Sequence, residues 1–108
     1  MNNTSLAIKE INESFSLQLN ENMTIEELRR ILTPVINEYI QDNFQKLVTI
    51  LYRVDVSENR LKQLLREDEG RDAASIIADL LIEREIQKIK TREQFKQPGD
   101  NIPGEENW

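Results

Sequence analysis

Apolar residues recur at spacings of three and four through most of this chain, the signature of helices that each bury one face. The clearest run follows Thr24. Leu28, Leu32, Ile36, Ile40, Phe44, Leu47, Leu51 and Val54 keep one phase, with Ile25 and Ile31 beside them. Thr24 and Glu27 have the spacing of a capping box, in which each side chain satisfies the other's free backbone amide. Glu26 stands four residues before Arg30, a favourable ion-pair spacing. Thr33-Pro34 interrupts the run, because proline lacks a backbone donor and pushes the preceding residue away from helical angles. Either the helix kinks there or Thr33 caps a second helix. The unbroken phase favours one roughly collinear rod over 25–54, bent near Pro34. From Phe44 onward Val48, Ile50 and Tyr52 widen the apolar arc, and a helix apolar on most sides is a buried one. The pattern therefore predicts 44–54 as the central element of the core.

Ser57 is a good N-cap for a short helix over 58–67, with Glu58 at the positive end of its dipole and four residues before Lys62. Leu61, Leu64 and Leu65 would face inward, and Gly70 suits the left-handed position past the end. Asp72 can cap a last helix over 73–95. Its first half is apolar over a broad arc, and its second half is laced with charge. The first 22 residues read less clearly. Leu6, Ile8 and Ile11 fit a short helix or an extended arm, whereas Phe15, Leu17 and Leu19 alternate with polar residues at the period of a strand. A lone strand has no partner within the chain, so an arm laid over the helices is expected. Residues 97–108 carry two Pro-Gly pairs and three acids and read as a flexible acidic tail. The predicted fold is an all-α bundle of three to four helices over 23–96, with an extended N-terminal arm over 1–22 and that tail. The two long elements pack together and the short helix closes one end.

Composition removes most familiar chemistry. The chain has no histidine and no cysteine, which excludes Ser-His-Asp and Cys-His catalysis, disulfides and the usual zinc sites. A nucleophilic Ser or Lys with another base stays open on composition alone. No glycine-rich phosphate loop is present. Glu67, Asp68, Glu69 and Asp72 are dense enough to collect a hard cation, but they lack the alternating spacing and turn glycine of an EF-hand and read as a solvated turn. No cofactor and no metal are expected. The net charge of −6 disfavours nucleic acid and anionic membrane surfaces, both of which need basic residues. The opening Met1-Asn2-Asn3-Thr4-Ser5 is unlike a secretory leader, and no apolar run approaches a membrane span. A cytoplasmic location is the default expectation.

Two segments carry a resemblance. Asn43-Phe44-Gln45-Lys46-Leu47 with Leu51-Tyr52-Arg53-Val54-Asp55-Val56-Ser57-Glu58, and the run from Ile77 to Ile89, are similar to a group of small bacterial all-helical proteins with no assigned activity. The likeness covers about half the chain and includes no catalytic signature. It implies a helical fold and transfers no functional residues.

Candidate residues gather at the junction of the rod and the short helix. Arg53 and Asp55 flank Val54, and Arg53 could pair with Asp55, Asp79 or Glu83 to set the angle between helices. The functional reading has Arg53 bind an anionic ligand beside Tyr52; the structural ion pair is preferred. Ile82, Ile86 and Ile89 continue an apolar stripe into a charged helix end, either as a seam for a partner or as packing against the rod. Trp108 could anchor in a groove. The expected function is a non-enzymatic interaction or regulatory module with a protein partner, most simply a second copy in a homodimer. The alternative is a DNA-associated regulator of helix-turn-helix type over 57–95, although its recognition helix would begin acidic and then turn apolar. A metal-dependent enzyme using the acidic turn ranks last.

Overall fold

The structure, a computed structural model, describes residues 2–68 and 70–95. It is all-α, with five helices among the described residues: α1 (Asn3–Phe15), α2 (Ile25–Asp42), α3 (Phe44–Val54), α4 (Glu58–Glu67) and α5 (Ala73–Phe95). The predicted tail over 97–108, Trp108 included, lies outside the described residues.

The N-terminal arm is in fact a helix. Asn2 caps it by accepting from the Ser5 amide at 2.7 Å, and Ser16 ends it in the left-handed conformation with φ 57°. Ala7, Ile8, Ile11 and Phe15 are buried along one face, a helical spacing in which Ala7 completes the stripe. The alternation at Leu17 and Leu19 marks the connection after the helix. Both side chains lie half-buried against the core while Gln18 and Asn20 are exposed. The backbone there pairs with a side chain rather than a strand. The Asn12 amide donates to the Leu19 carbonyl at 3.1 Å, and its oxygen accepts from the Leu19 N–H at 2.9 Å. Ser5 adds a hydrogen bond from its hydroxyl to the Glu21 carbonyl at 2.7 Å.

Thr24 and Glu27 make the expected capping box, at 3.1 Å from the Glu27 amide and 2.9 Å from the Thr24 amide. Those bonds hold the Glu27 carboxyl below its usual pKa. The predicted rod breaks, but not at Pro34. Pro34 sits inside α2, and both it and Arg30, whose carbonyl loses its partner, are on the exposed side. The break falls at Asn43, which leaves helical geometry at φ −156° and ψ 61° and caps both flanking helices. Leu28, Leu32 and Ile36 of α2 and Leu47, Ile50 and Val54 of α3 are fully buried.

The central element is α5, not 44–54. Ile76, Ile77, Ala78, Leu80, Leu81 and Ile82 are all buried, so most of the surface of its first half is covered, apart from the side that carries Asp79 and Glu83. It starts where predicted, with the Asp72 side chain accepting from the Ala74 amide at 3.2 Å. The long helices α2 and α5 pack together as expected, while α1 covers the far part of α5. Asp68, rather than Gly70, caps α4. Asp79 of α5 receives Arg29 from α2 and Arg71 from the turn before α5, each at 2.5 Å. The hydrogen bond to Asp79 raises the Arg71 pKa above its usual value and keeps the guanidinium charged.

Candidate interaction face

The corner between α3 and α4 is built as a turn, and its angle is set from α5. Asp55 adopts the left-handed conformation at φ 67°, and the Val56 amide returns to the Leu51 carbonyl at 3.1 Å. Ser57 then caps α4 by accepting from the Arg60 amide at 3.2 Å. Arg84 of α5 donates to the Asp55 carbonyl at 3.0 Å and to its carboxylate at 3.1 Å. The other expected partners are also engaged elsewhere: Glu83 pairs with Arg60 at 2.5 Å, and Asp79 with Arg29 and Arg71. Arg53 is exposed and makes no hydrogen bond or ion pair among the described residues, so it does not fix the corner.

The isoleucine stripe serves the chain's own core. Ile82 and Ile89 are each 3% exposed, and Ile86 is half-buried against the same cluster. Of the five large apolar side chains left exposed among the described residues, three lie on α3 and α4, while Ile31 lies on α2 and Phe95 at the end of α5. Tyr52 is 75% exposed, Phe44 56% and Leu65 40%. Helix α4 has no fully buried residue at all, although three of its ten residues are leucine. Between the two helices runs a groove of about 190 Å³, walled by Phe44, Val48, Leu51, Tyr52, Val56 and Leu61, with Glu58 at its edge. Of the three leucines predicted to face inward, Leu61 packs half-buried against the core and also lines the groove, Leu64 is half-buried, and Leu65 is exposed outside the groove.

Charge separates this face from the rest of the molecule. From the start of α3 at Phe44 to the end of α4 at Glu67 there are five basic residues and three acidic ones, a net +2 within a chain of net −6. Of the basic ones, Arg60 and Lys62 are in ion pairs, Lys62 with Glu58 at 3.5 Å. Other clefts are larger: one of about 350 Å³ is lined by Phe15, Leu17, Val35 and Tyr39 with the acids Glu38 and Asp42, and two more are lined mainly by charge. One of about 580 Å³ between α2, α4 and α5 carries Arg29, Arg60, Asp79, Glu83 and Lys90, and one of about 300 Å³ between α1 and α5 carries Lys9, Glu10, Glu13, Arg92 and Glu93.

Of the acidic turn, Glu69 lies outside the described residues. Among the described residues no three carboxylates converge, and Asp68 lies 3.9 Å from Arg71. The helix that a helix-turn-helix reading would place in a DNA groove is α5, whose first turns bury Ala74, Ile76, Ile77 and Ala78. No described helix is long and apolar enough to cross a membrane. No family model matches the chain, and no curated protein or solved structure matches it significantly.

Proposed function

We propose that the chain is a non-enzymatic protein-interaction module that docks an acidic segment with apolar anchors on the α3–α4 face. The observation that carries this reading is the coincidence of three exposed large apolar side chains, an apolar groove and a net positive charge on two adjacent helices. A contiguous apolar surface with a polar rim is what interaction sites offer. Covering Phe44, Tyr52 and Leu65 would contribute on the order of 1 kcal/mol each. The excess of basic residues favours a partner of opposite sign and adds to the rate of encounter. It also shapes any self-association. A two-fold dimer through this face would set +2 against +2, whereas an acidic segment of a second copy would meet it head to tail.

The test is a titration of isotope-labelled protein with two synthetic amphipathic peptides, followed by backbone amide chemical shifts. One peptide has Leu and Phe anchors on a Glu background, and the other has Lys for every Glu. The acidic peptide is expected to shift amides over 44–66, to bind more weakly as salt is raised, and to lose affinity for Phe44→Ser and Tyr52→Ser. Equal binding of both peptides, or shifts confined to α1 and α2, refutes the proposal.

A further inference from the structure

The α3–α4 groove has an occupant of suitable chemistry within the same chain. We infer that residues 96–108 dock on this groove in cis, with Ile102 and Trp108 as anchors. This rests on the interaction reading above and names its partner. The segment holds Asp100, Glu105 and Glu106 against a single Lys96, so its sign is opposite to that of the face. Ile102 and Trp108 are its only large apolar residues, and tryptophan is the side chain most enriched among interface anchors.

The distances allow it. Arg84 holds Asp55 beside the groove wall at Val56, and Phe95 lies eleven residues further along the same helix. Eleven residues of helix rise about 16 Å, and the groove lies about one helix spacing, roughly 10 Å, to the side of α5. Thirteen residues reach at most about 43 Å when extended, with a root-mean-square span of about 20 Å as a coil. The span of the segment therefore matches the path, which is the condition for a high effective concentration, in the millimolar range for short linkers. Pro98-Gly99 is a turn-favouring pair, of the kind the proposed reversal along α5 calls for.

Trp108 is the only tryptophan, so its fluorescence reports docking without a label. The experiment compares iodide quenching and emission maximum in the full chain with those of a synthetic peptide of residues 96–108. Docking predicts a blue-shifted emission and a several-fold lower quenching constant in the full chain, both constant on dilution. Phe44→Ser and Tyr52→Ser, at exposed positions, and the charge reversal Lys46→Glu with Arg53→Glu, should each return Trp108 to the values of the peptide while leaving the helical circular dichroism unchanged. Quenching equal to that of the peptide overturns the inference, and so does protection that vanishes on dilution, which would mean docking between copies. If Trp108 is unprotected while the acidic probe peptide still shifts residues 44–66, only the choice of occupant fails. If neither occurs, the interaction reading fails with it.

Discussion

Replacing Glu85 with methionine is expected to stabilise the protein. The Glu85 side chain is 2% exposed on the central helix, and its Oε1 has no hydrogen-bond partner. The nearest cation, Lys88, is 3.8 Å away, too far for a hydrogen bond. Arg92 and Arg84 stand nearby, but Arg92 is bonded to Glu10 at 2.6 Å and Arg84 to Asp55. Burial raises the Glu85 pKa above 4.5 most strongly, the Glu10 charge on α1 raises it further, and the three basic residues oppose both. An unsatisfied buried polar group costs about 1–3 kcal/mol. Methionine is unbranched, adapts to the same space and has no group to satisfy. Its substitution gives up the long Lys88 pair, worth no more than about 0.5 kcal/mol. The expected gain at neutral pH is therefore about 1–2 kcal/mol, with each kcal/mol moving Tm by roughly 4–8 °C in a domain of this size.

The pH dependence gives that prediction its sharper form. The folded carboxyl binds its proton more tightly than the unfolded one, so between the unfolded value of 4.5 and the raised folded value the native state holds more protons. Lowering the pH through that window stabilises the wild type, and raising it withdraws that stability. Glu85→Gln and Glu85→Met lack this dependence. Urea unfolding of the wild type and both variants, followed by circular dichroism at a series of pH values, isolates it because the other titrating groups are shared. The advantage of Glu85→Met should be largest at neutral pH and shrink as the pH falls towards 4.5. A variant less stable than wild type at neutral pH, or a difference that does not change with pH, would mean that the carboxylate is well solvated by its neighbours.

Three further substitutions probe the corner and the N-terminal helix. Arg84→Ala should lower stability by about 1 kcal/mol, since it removes two hydrogen bonds that hold the corner, whereas Arg53→Ala should leave Tm unchanged; the reverse order in thermal unfolding would return the corner to Arg53. Ile8→Ala should cost about 2–5 kcal/mol in urea unfolding because Ile8 is fully buried in α1, and a change within about 0.5 kcal/mol, the range of surface substitutions, would mean that α1 is not part of the core.

Where local chemistry decides an element, its residues are legible in the chain. Thr24 with Glu27, Ser57 and Asp72 mark helix starts through hydrogen bonds made within four residues, and all three caps form as read. The break at Asn43 is not legible by the same means. One non-helical residue advances the chain without disturbing an apolar stripe whose spacings are three and four, so Ile36, Leu47 and Val54 keep their phase across it. Pro34 is the more conspicuous breaker, yet it does no harm because its missing donor falls on the solvent side. The connection at Leu17 and Leu19 misleads for a related reason. Alternation records an extended backbone with one side covered, and here the backbone partner is Asn12, seven residues from Leu19.

The exposed apolar residues of α3 and α4 look like core residues in the sequence because burial is a property of what lies opposite. Val48, Leu51, Tyr52, Leu61 and Leu65 have the spacing of core residues, and so do Ile77, Leu81 and Ile82. The difference is that α5 is enclosed by the other helices, while the outer side of α3 and α4 has no helix packed over it among the described residues. One signal does lie in the sequence. Asp79, Glu83 and Glu85 interrupt the apolar surface of α5, and two of these acids are neutralised by arginines reaching in from α2, α4 and the turn before α5. Between Phe44 and Val54 no acid occurs and the basic Lys46 and Arg53 remain exposed, so the apolar surface there is bordered by charge of one sign. On α5 Asp79 and Glu83 are answered by arginines within the fold, whereas on α3 Lys46 and Arg53 make no ion pair among the described residues, and the proposed docking of an acidic, apolar segment would supply both the missing charge and the missing cover.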